Sequence, residues 1–397
     1  MALTKIGTLG IADDAITAAK LPANSVDSSE LVNGSVDLVH MSANSVDSDQ
    51  YVDGSIDNAH LADDAVTAAK IASGVLQNSN ILINGNFDIW QRGTSFTPAT
   101  NEYGADRWQC DTGTTGSTYS QITSSLPEKS LYGIKLQRDS STTSTNYIHI
   151  RTALETFDSV PLQGKVLTLS FYAKAGANLS STSSQMSLLV ATGTTGNEAL
   201  TGFGGWAGNV YTLNTNQVLT TSWVKYSFTM PSNGTAIKQI GLALYFKPTG
   251  TAGADDSISI AQVQLEAGSV ATDFEIRNHA TELAMCQRYF ERLNSADISD
   301  VNYGLLACAG ATQAFGAVFW QVEKRAAPTT TCSSGTDFRV TNSGASPIET
   351  TSLTFAQANT QSVRAYAQVA SGLAAGDVTR LHDDGLGNSY IDISAEL

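Results

Sequence analysis

The chain has 397 residues, 42% of them apolar and only 15% charged, with a formal net charge of −15. That length provides for two to three domains with real cores, and the acidic balance excludes nucleic acid, whose phosphates need a basic footprint. Cys110, Cys286, Cys308 and Cys332 form no CxxC pair and no close cluster, which disfavours a zinc site and a dense disulfide scaffold and makes reduced, structural thiols the default. The opening MALTKIGTLGIADDAITAAK lacks an apolar core, so no secretory signal is read there. No run approaches the roughly 18 apolar residues of a membrane helix, so the chain is not expected to be membrane-embedded. Low charge with abundant Gly, Ser and Thr predicts an all-β protein.

After a short stretch at 1–10, residues 11–70 form six decads: IADDAITAAK, LPANSVDSSE, LVNGSVDLVH, MSANSVDSDQ, YVDGSIDNAH and LADDAVTAAK. Position one is always apolar (Ile11, Leu21, Leu31, Met41, Tyr51, Leu61), and position six is always β-branched (Ile16, Val26, Val36, Val46, Ile56, Val66). Eleven acids against two lysines give this segment nine of the chain's net negative charges. Two apolar residues per ten, five apart, fit neither a helix nor a long alternating strand. Short extended pieces between Asp, Asn and Gly turns fit better. One such strip exposes too little apolar surface to fold alone. It must coil on itself or wind with identical chains around a shared core, unless it is a disordered acidic linker. Asp27, Asp37, Asp47 and Asp57 would face solvent and keep such a shaft, drawn at 11–75, soluble.

Past a junction at 71–80, the segment 81–110 reads ILINGNFDIWQRGTSFTPATNEYGADRWQC. With VQLEAGSVATDFEIRNHATELAMCQRYFER at 263–292, KRAAPT at 324–329 and the final ISAEL, it resembles bacteriophage tail-fibre proteins, whose shafts carry repeats similar to ADDAVTAAKI. The ordered motifs span nearly the whole chain. The resemblance implies a homotrimer on the virion, assembled in the host cytoplasm. Its N-terminal end would join the phage tail or another fibre protein, and its distal end would contact a glycan or outer-membrane receptor on the host.

Period-two strands dominate residues 81–278. Leu167, Leu169 and Phe171 alternate with Thr168 and Ser170; Val224, Tyr226, Phe228 and Met230 alternate with Lys225, Ser227 and Thr229; Ile240, Leu242, Leu244 and Phe246 line another face. This density predicts an antiparallel sandwich. The stretch 221–246 resembles carbohydrate-binding jelly rolls, which implies a structural calcium near the NGxF element and an acidic pair in the final strand. Asn84, Gly85, Phe87 and Asp88 match the first part, but Ala261 and Gln262 stand where acids are expected, and Asp255 and Asp256 read as loop residues. No metal or other cofactor is therefore expected. HATELAMCQRYFERL, at 279–293, predicts a connecting helix with Leu283, Cys286, Phe290 and Leu293 on one face and Asn278 as its N-cap. Arg288 and Arg292 would favour its C-terminal dipole.

Residues 294–397 return to β character and read as a receptor-binding tip. Trp320, Arg364, Tyr366, Arg380, His382 and Asp383 are the residue types that stack on sugars or fork onto their hydroxyls and carboxylates. Trp320 also reads as a core residue among Phe315, Val318 and Phe319, and HDDG at 382–385 as a solvated turn. Trp206 and Tyr211, in GFGGWAGNVY, are a further sugar-stacking pair or an aromatic lid on the sandwich. No GxSxG elbow, HExxH helix or Walker loop occurs, and Gly202–Ala207 satisfies GxGxxG/A without a following helix. Asp63/Asp64 and Asp383/Asp384 are carboxylate pairs, but adjacent strand residues point to opposite faces. A non-enzymatic adhesin is the expectation, beside a polysaccharide-depolymerising spike and a structural connector or decoration protein.

Overall fold

Alternation of apolar and polar residues at period two produces β-strands throughout the computed structural model, which describes residues 15, 17–21, 31, 36, 80–98, 101–111, 116–294, 301–342 and 346–397. The decads, expected to form a shaft, lie outside these except for a few positions. There Ala18–Lys20 form one 3₁₀ turn, closed by the Lys20 amide donating to the Thr17 carbonyl. The described chain is all-β apart from short 3₁₀ turns and two short α-helices, α1 (Thr156–Ser159) and α2 (His279–Gln287).

The first globular part is a sandwich of two antiparallel six-stranded sheets. One runs β1 (Ser95–Phe96), β4 (Ser117–Ile122), β5 (Gly133–Arg138), β12 (Asp256–Ala267), β7 (Leu167–Ala175) and β10 (Val224–Met230). The other runs β2 (Glu102–Tyr103), β3 (Gln109–Asp111), β6 (Ile148–Ala153), β11 (Gln239–Phe246), β8 (Gln185–Gly193) and β9 (Val210–Val218). Leu169 and Phe171 from the first sheet and Leu188, Leu242 and Leu244 from the second are fully or nearly fully buried between them. Asp256 is the first residue of β12, not a loop residue. It is fully buried and ion-paired to Arg138 at 3.0 Å, with the Ser180 amide and hydroxyl donating to the same carboxylate. Gln262 donates its side-chain amide to the Glu128 carbonyl at 2.7 Å and to Ser130 Oγ at 2.8 Å.

The connecting helix is shorter than its sequence pattern suggests. α2 spans His279–Gln287, capped by Asn278 Oδ1 accepting from the Ala280 amide. The chain then turns, and Phe290–Asn294 form strand β13. Leu293 is therefore on a strand, and the reason is tertiary: β13 pairs along its length with β21 (Tyr390–Ser394), which also pairs with β16 (Thr329–Cys332). Arg288 and Arg292 serve partners other than the helix dipole, Glu155 at 2.9 Å and Asp392 at 2.6 Å.

The last part is a closed antiparallel barrel in the order β14 (Asn302–Cys308), β15 (Gln313–Phe319), β19 (Ser362–Val369), β18 (Ile348–Ala356), β17 (Phe338–Asn342) and β20 (Val378–Asp383), with β20 returning to β14. Closure removes free edges. Ile391 and Ile393 of β21 pack into the barrel core beside Val318, Phe338 and Leu381.

Residues 68–397 form one compact unit, and the seam between sandwich and barrel is built from the motifs that stand out in the sequence. Asn84 adopts a left-handed backbone, as Asn does more readily than other side chains. Its amide bridges the Ile89 and Asp106 carbonyls at 2.9 Å each, and Trp108 Nε1 donates to its carbonyl at 2.9 Å. Arg92 lies 3.4 Å from the Phe290 ring centre and pairs with Glu396 at 3.1 Å; Arg107 pairs with the same carboxylate and covers Tyr289. Burial is the largest influence and opposes the charge on Arg107, but Glu396 together with Tyr289 and Tyr103 outweighs it and raises its pKa. Arg325 donates to the Ala395 and Glu396 carbonyls. These arginines are paired and stacked inside the protein, so they form architecture and not a surface site.

Candidate functional site

The outer face of the barrel carries an open groove of about 520 Å³. Strand periodicity creates it. On β15, Ala314 and Val318 point inward and are fully buried, while Phe315, Ala317 and Phe319 point outward. Register then aligns the outward residues in rows. Val378, Ala307, Phe315, Tyr366 and Thr354 face one another across five consecutive strands. A second set places Arg380 opposite Leu305 on one side, and Ala317 opposite Arg364 and Arg364 opposite Ala356 on the other. Leu305, Phe319 and Val378 are 64%, 67% and 59% exposed, which is unusual for large apolar side chains gathered on one face.

Gly316 makes the groove floor possible. A Cβ there would lie 2.3 Å from the Leu305 carbonyl oxygen and 3.0 Å from the Leu306 Cα, so the β14 and β15 backbones approach where no side chain fits.

The polar contribution comes from β19. Arg364 is exposed, its guanidinium 5.0 Å from the Phe315 ring centre, and it donates to Tyr366 Oη at 3.5 Å. It makes no ion pair among the described residues. The Phe315 and Tyr366 rings are 6.1 Å apart and tilted by 37°. No described Asp or Glu lines the groove; Arg364 is its one charged lining residue among those described. The chemistry on offer is an apolar and aromatic floor with one fork of cationic donors.

Of the residues singled out from sequence, Arg364 lines this groove, Tyr366 lies beside it against Phe315, and Arg380 shares its face. The others lie elsewhere. Trp320 is buried and donates from Nε1 to the Thr360 carbonyl at 2.8 Å. It belongs to the core with Val318, whereas Phe315 and Phe319, expected around it, are on the opposite face of the strand. The HDDG segment is not a solvated turn: His382, Asp383 and Asp384 are all buried. The end of β20 is held on both sides, with the Asp383 amide donating to the Val301 carbonyl and the Asp384 amide to that of Asp337. His382 Nε2 sits 2.7 Å from Thr341 Oγ1, and Asp383 accepts from the Gly385 amide at 3.0 Å. Trp206 is buried against Phe203 at 4.8 Å and is the lid, not a sugar platform, of the alternatives read from its loop. A Cβ at Gly241 would collide with both rings, so that glycine lets the lid lie flat on the sheet. Tyr211 is 45% exposed on the edge strand β9, apart from the groove.

Sequence reading missed Leu305, Ala317 and Val378 as groove residues. The alternation in QAFGAVF was a usable signal for β15, but which face looked outward depended on barrel closure. It also missed a polar row on the sandwich's second sheet, where Asp111, His149 and Tyr245 are cross-strand neighbours. There Arg151 pairs with Asp111 at 3.1 Å and donates to Gln109 at 2.7 Å. Burial, with Arg151 nearby, pushes the His149 pKa down to about 4, so its imidazole is neutral at physiological pH.

No family model matches the chain, and no curated protein matches it. Among solved structures it is similar to the enzymatically active domain of bacteriophage CBA120 tailspike protein 4, at 14% identity and a TM-score of 0.30, over 48% of this chain and 22% of that one. It is also similar to a CBM4 structure, at 16% identity and a TM-score of 0.30, over 47% of this chain and 98% of that one. A third is TmCBM61 in complex with β-1,4-galactotriose, at 13% identity and a TM-score of 0.29, over 48% and 99%. The chain thus spans about a fifth of the tailspike's length. Likenesses this low carry no weight on what the protein binds.

Proposed function

We propose that this protein is an adhesive component of a bacteriophage tail fibre, a homotrimer on the virion whose barrel groove binds a glycan of the host surface and so mediates adsorption. The observation that supports binding is the groove itself, with exposed Leu305 and half-buried Phe315 beside an Arg364 that has no ion-pair partner among the described residues. The tandem decads support a repetitive fibre, for which winding with identical chains around a shared core is one solution, and the trimeric state follows the tail-fibre resemblance of the ordered motifs. Single-site contacts to sugar hydroxyls are weak, and three linked copies raise avidity without any new contact. Binding without cleavage is the reading favoured here, because glycoside hydrolysis uses a pair of carboxylates and none lines the groove among the described residues.

Adsorption inhibition tests this. Soluble full-length protein should block phage attachment to host cells, and Ala317→Trp, which fills the groove, should block far less. Equal blocking by both, or none by either, would refute the groove as the receptor site. Static light scattering of the intact protein should give a trimer mass; a monomer would overturn that part.

A further inference from the structure

We infer that the groove selects an anionic glycan, one whose sugar carries a carboxylate, which Arg364 takes in a two-pronged contact while the ring lies on Phe315. This rests on the groove being the glycan site proposed above.

Three observations converge on it. First, Arg364 is exposed yet has no acidic partner among the described residues, whereas Arg92, Arg107, Arg138, Arg288, Arg292 and Arg339 each hold a carboxylate. In a chain with a net charge of −15, a lone unpaired guanidinium on a binding face is the exception. Second, its surroundings hold it for a ligand. The Phe315 ring lies 5.0 Å from the guanidinium carbon, and Tyr366 Oη accepts from one terminal nitrogen at 3.5 Å. The contact to Tyr366 is long and weak, so most of the fork's donors stay open to solvent or ligand. Third, the rest of the lining is uncharged: Leu305, Ala307, Ala317, Gln357, Ser362 and Val378. A carboxylate bound at Arg364 would therefore meet no like charge among the described residues, and the apolar floor would lower the local dielectric and strengthen the pair. A neutral sugar would stack as well but would leave the cation without its best partner. An acidic peptide could also pair with Arg364, but the paired aromatic rings and shallow apolar floor suit the C–H face of a pyranose.

The test is a binding titration of the intact protein with a panel of uronate and sialate oligosaccharides, each beside its carboxyl methyl ester, which keeps the shape and removes the charge. At least one acid should bind about tenfold or more tightly than its ester, the effect of one hydrogen-bonded charge pair. Arg364→Ala should bring acid and ester to equal affinity, and Arg364→Lys should retain only part of the preference because the fork is lost. Circular dichroism and melting of each variant report that the barrel is intact; both substitutions are at an exposed site. If esters bind as tightly as acids and Ala317→Trp abolishes both, the anionic class is wrong while the groove reading stands. If binding survives Ala317→Trp, or no acid in the panel binds, the inference is overturned. Tighter binding of an oligoglutamate peptide than of any acidic sugar would also overturn it.

Discussion

Glu291 and Lys324 form the most completely buried ion pair of the C-terminal part, with side chains 1% and 0% exposed and Lys324 Nζ 2.7 Å from the carboxylate. The ammonium also donates to the Val322 carbonyl at 2.8 Å, and the carboxylate accepts from the Gln321 amide at 2.9 Å. The pair pins the turn after β15 onto β13, and so links the barrel to the seam. Burial pushes the Lys324 pKa down, while Glu291 pulls it the other way. Glu291→Ala leaves a buried cation with a single carbonyl acceptor and strands the Gln321 amide. The cost of breaking one side of such a pair is about 3–5 kcal/mol. In a compact unit larger than about 150 residues, each kcal/mol shifts Tm by about 2–4 °C, so the loss in Tm is of the order of 10 °C. The double variant Glu291→Leu with Lys324→Met removes both charges and should recover most of the loss, because a buried pair exchanged for apolar side chains is close to neutral. Urea and thermal unfolding of the full chain, with hydrogen exchange on β15 amides to localise the transition, measures both. A loss under about 1 kcal/mol for Glu291→Ala, or a double variant no better than the single, would refute the reasoning.

Gly316→Ala should destabilise the barrel by about 1–3 kcal/mol, because the new Cβ meets backbone atoms that cannot rotate away; an unchanged Tm would refute this. Trp206→Ala should lower stability by about 3–5 kcal/mol and leave host-cell binding intact, since its ring is a buried lid; a selective loss of binding would restore it as a sugar platform. Asp106, buried at the seam, has its pKa pushed up to about 7, chiefly by burial and against the pull of Arg92 and of Gln91. Its folded value lies above the ordinary one of 3.8, so its contribution to stability is fully present below pH 4 and is lost as pH rises to about 7. The whole change is about 4 kcal/mol. The stability difference between wild type and Asp106→Asn, followed by urea unfolding from pH 4 to 8, should therefore fall with rising pH; a flat difference would refute it.

Some of this protein was legible in its residues before any fold was known. The alternation of Leu167, Leu169 and Phe171 implies a strand with one buried face wherever it lies, because side chains on a pleated strand must alternate. The N-cap at Asn278 is equally local, one side chain satisfying one amide. Arg364 and Tyr366 share a strand face by their spacing of two, so they were a pair in the sequence already. Where partners are distant, local pattern gave the wrong answer or none. Phe290 and Leu293 continue the helical spacing of α2, yet they form a strand, since β21, a hundred residues later, offers backbone partners that the helix cannot match. Trp320, Phe319 and Phe315 look like one apolar cluster, but barrel closure sends Trp320 inward and the two phenylalanines to the outer face, Phe319 exposed and Phe315 half-buried. The groove follows from that choice. Residue types set by the sequence determine which side chains can alternate; only the closed ring of six strands decides which alternating face meets water, and that face carries the proposed binding site.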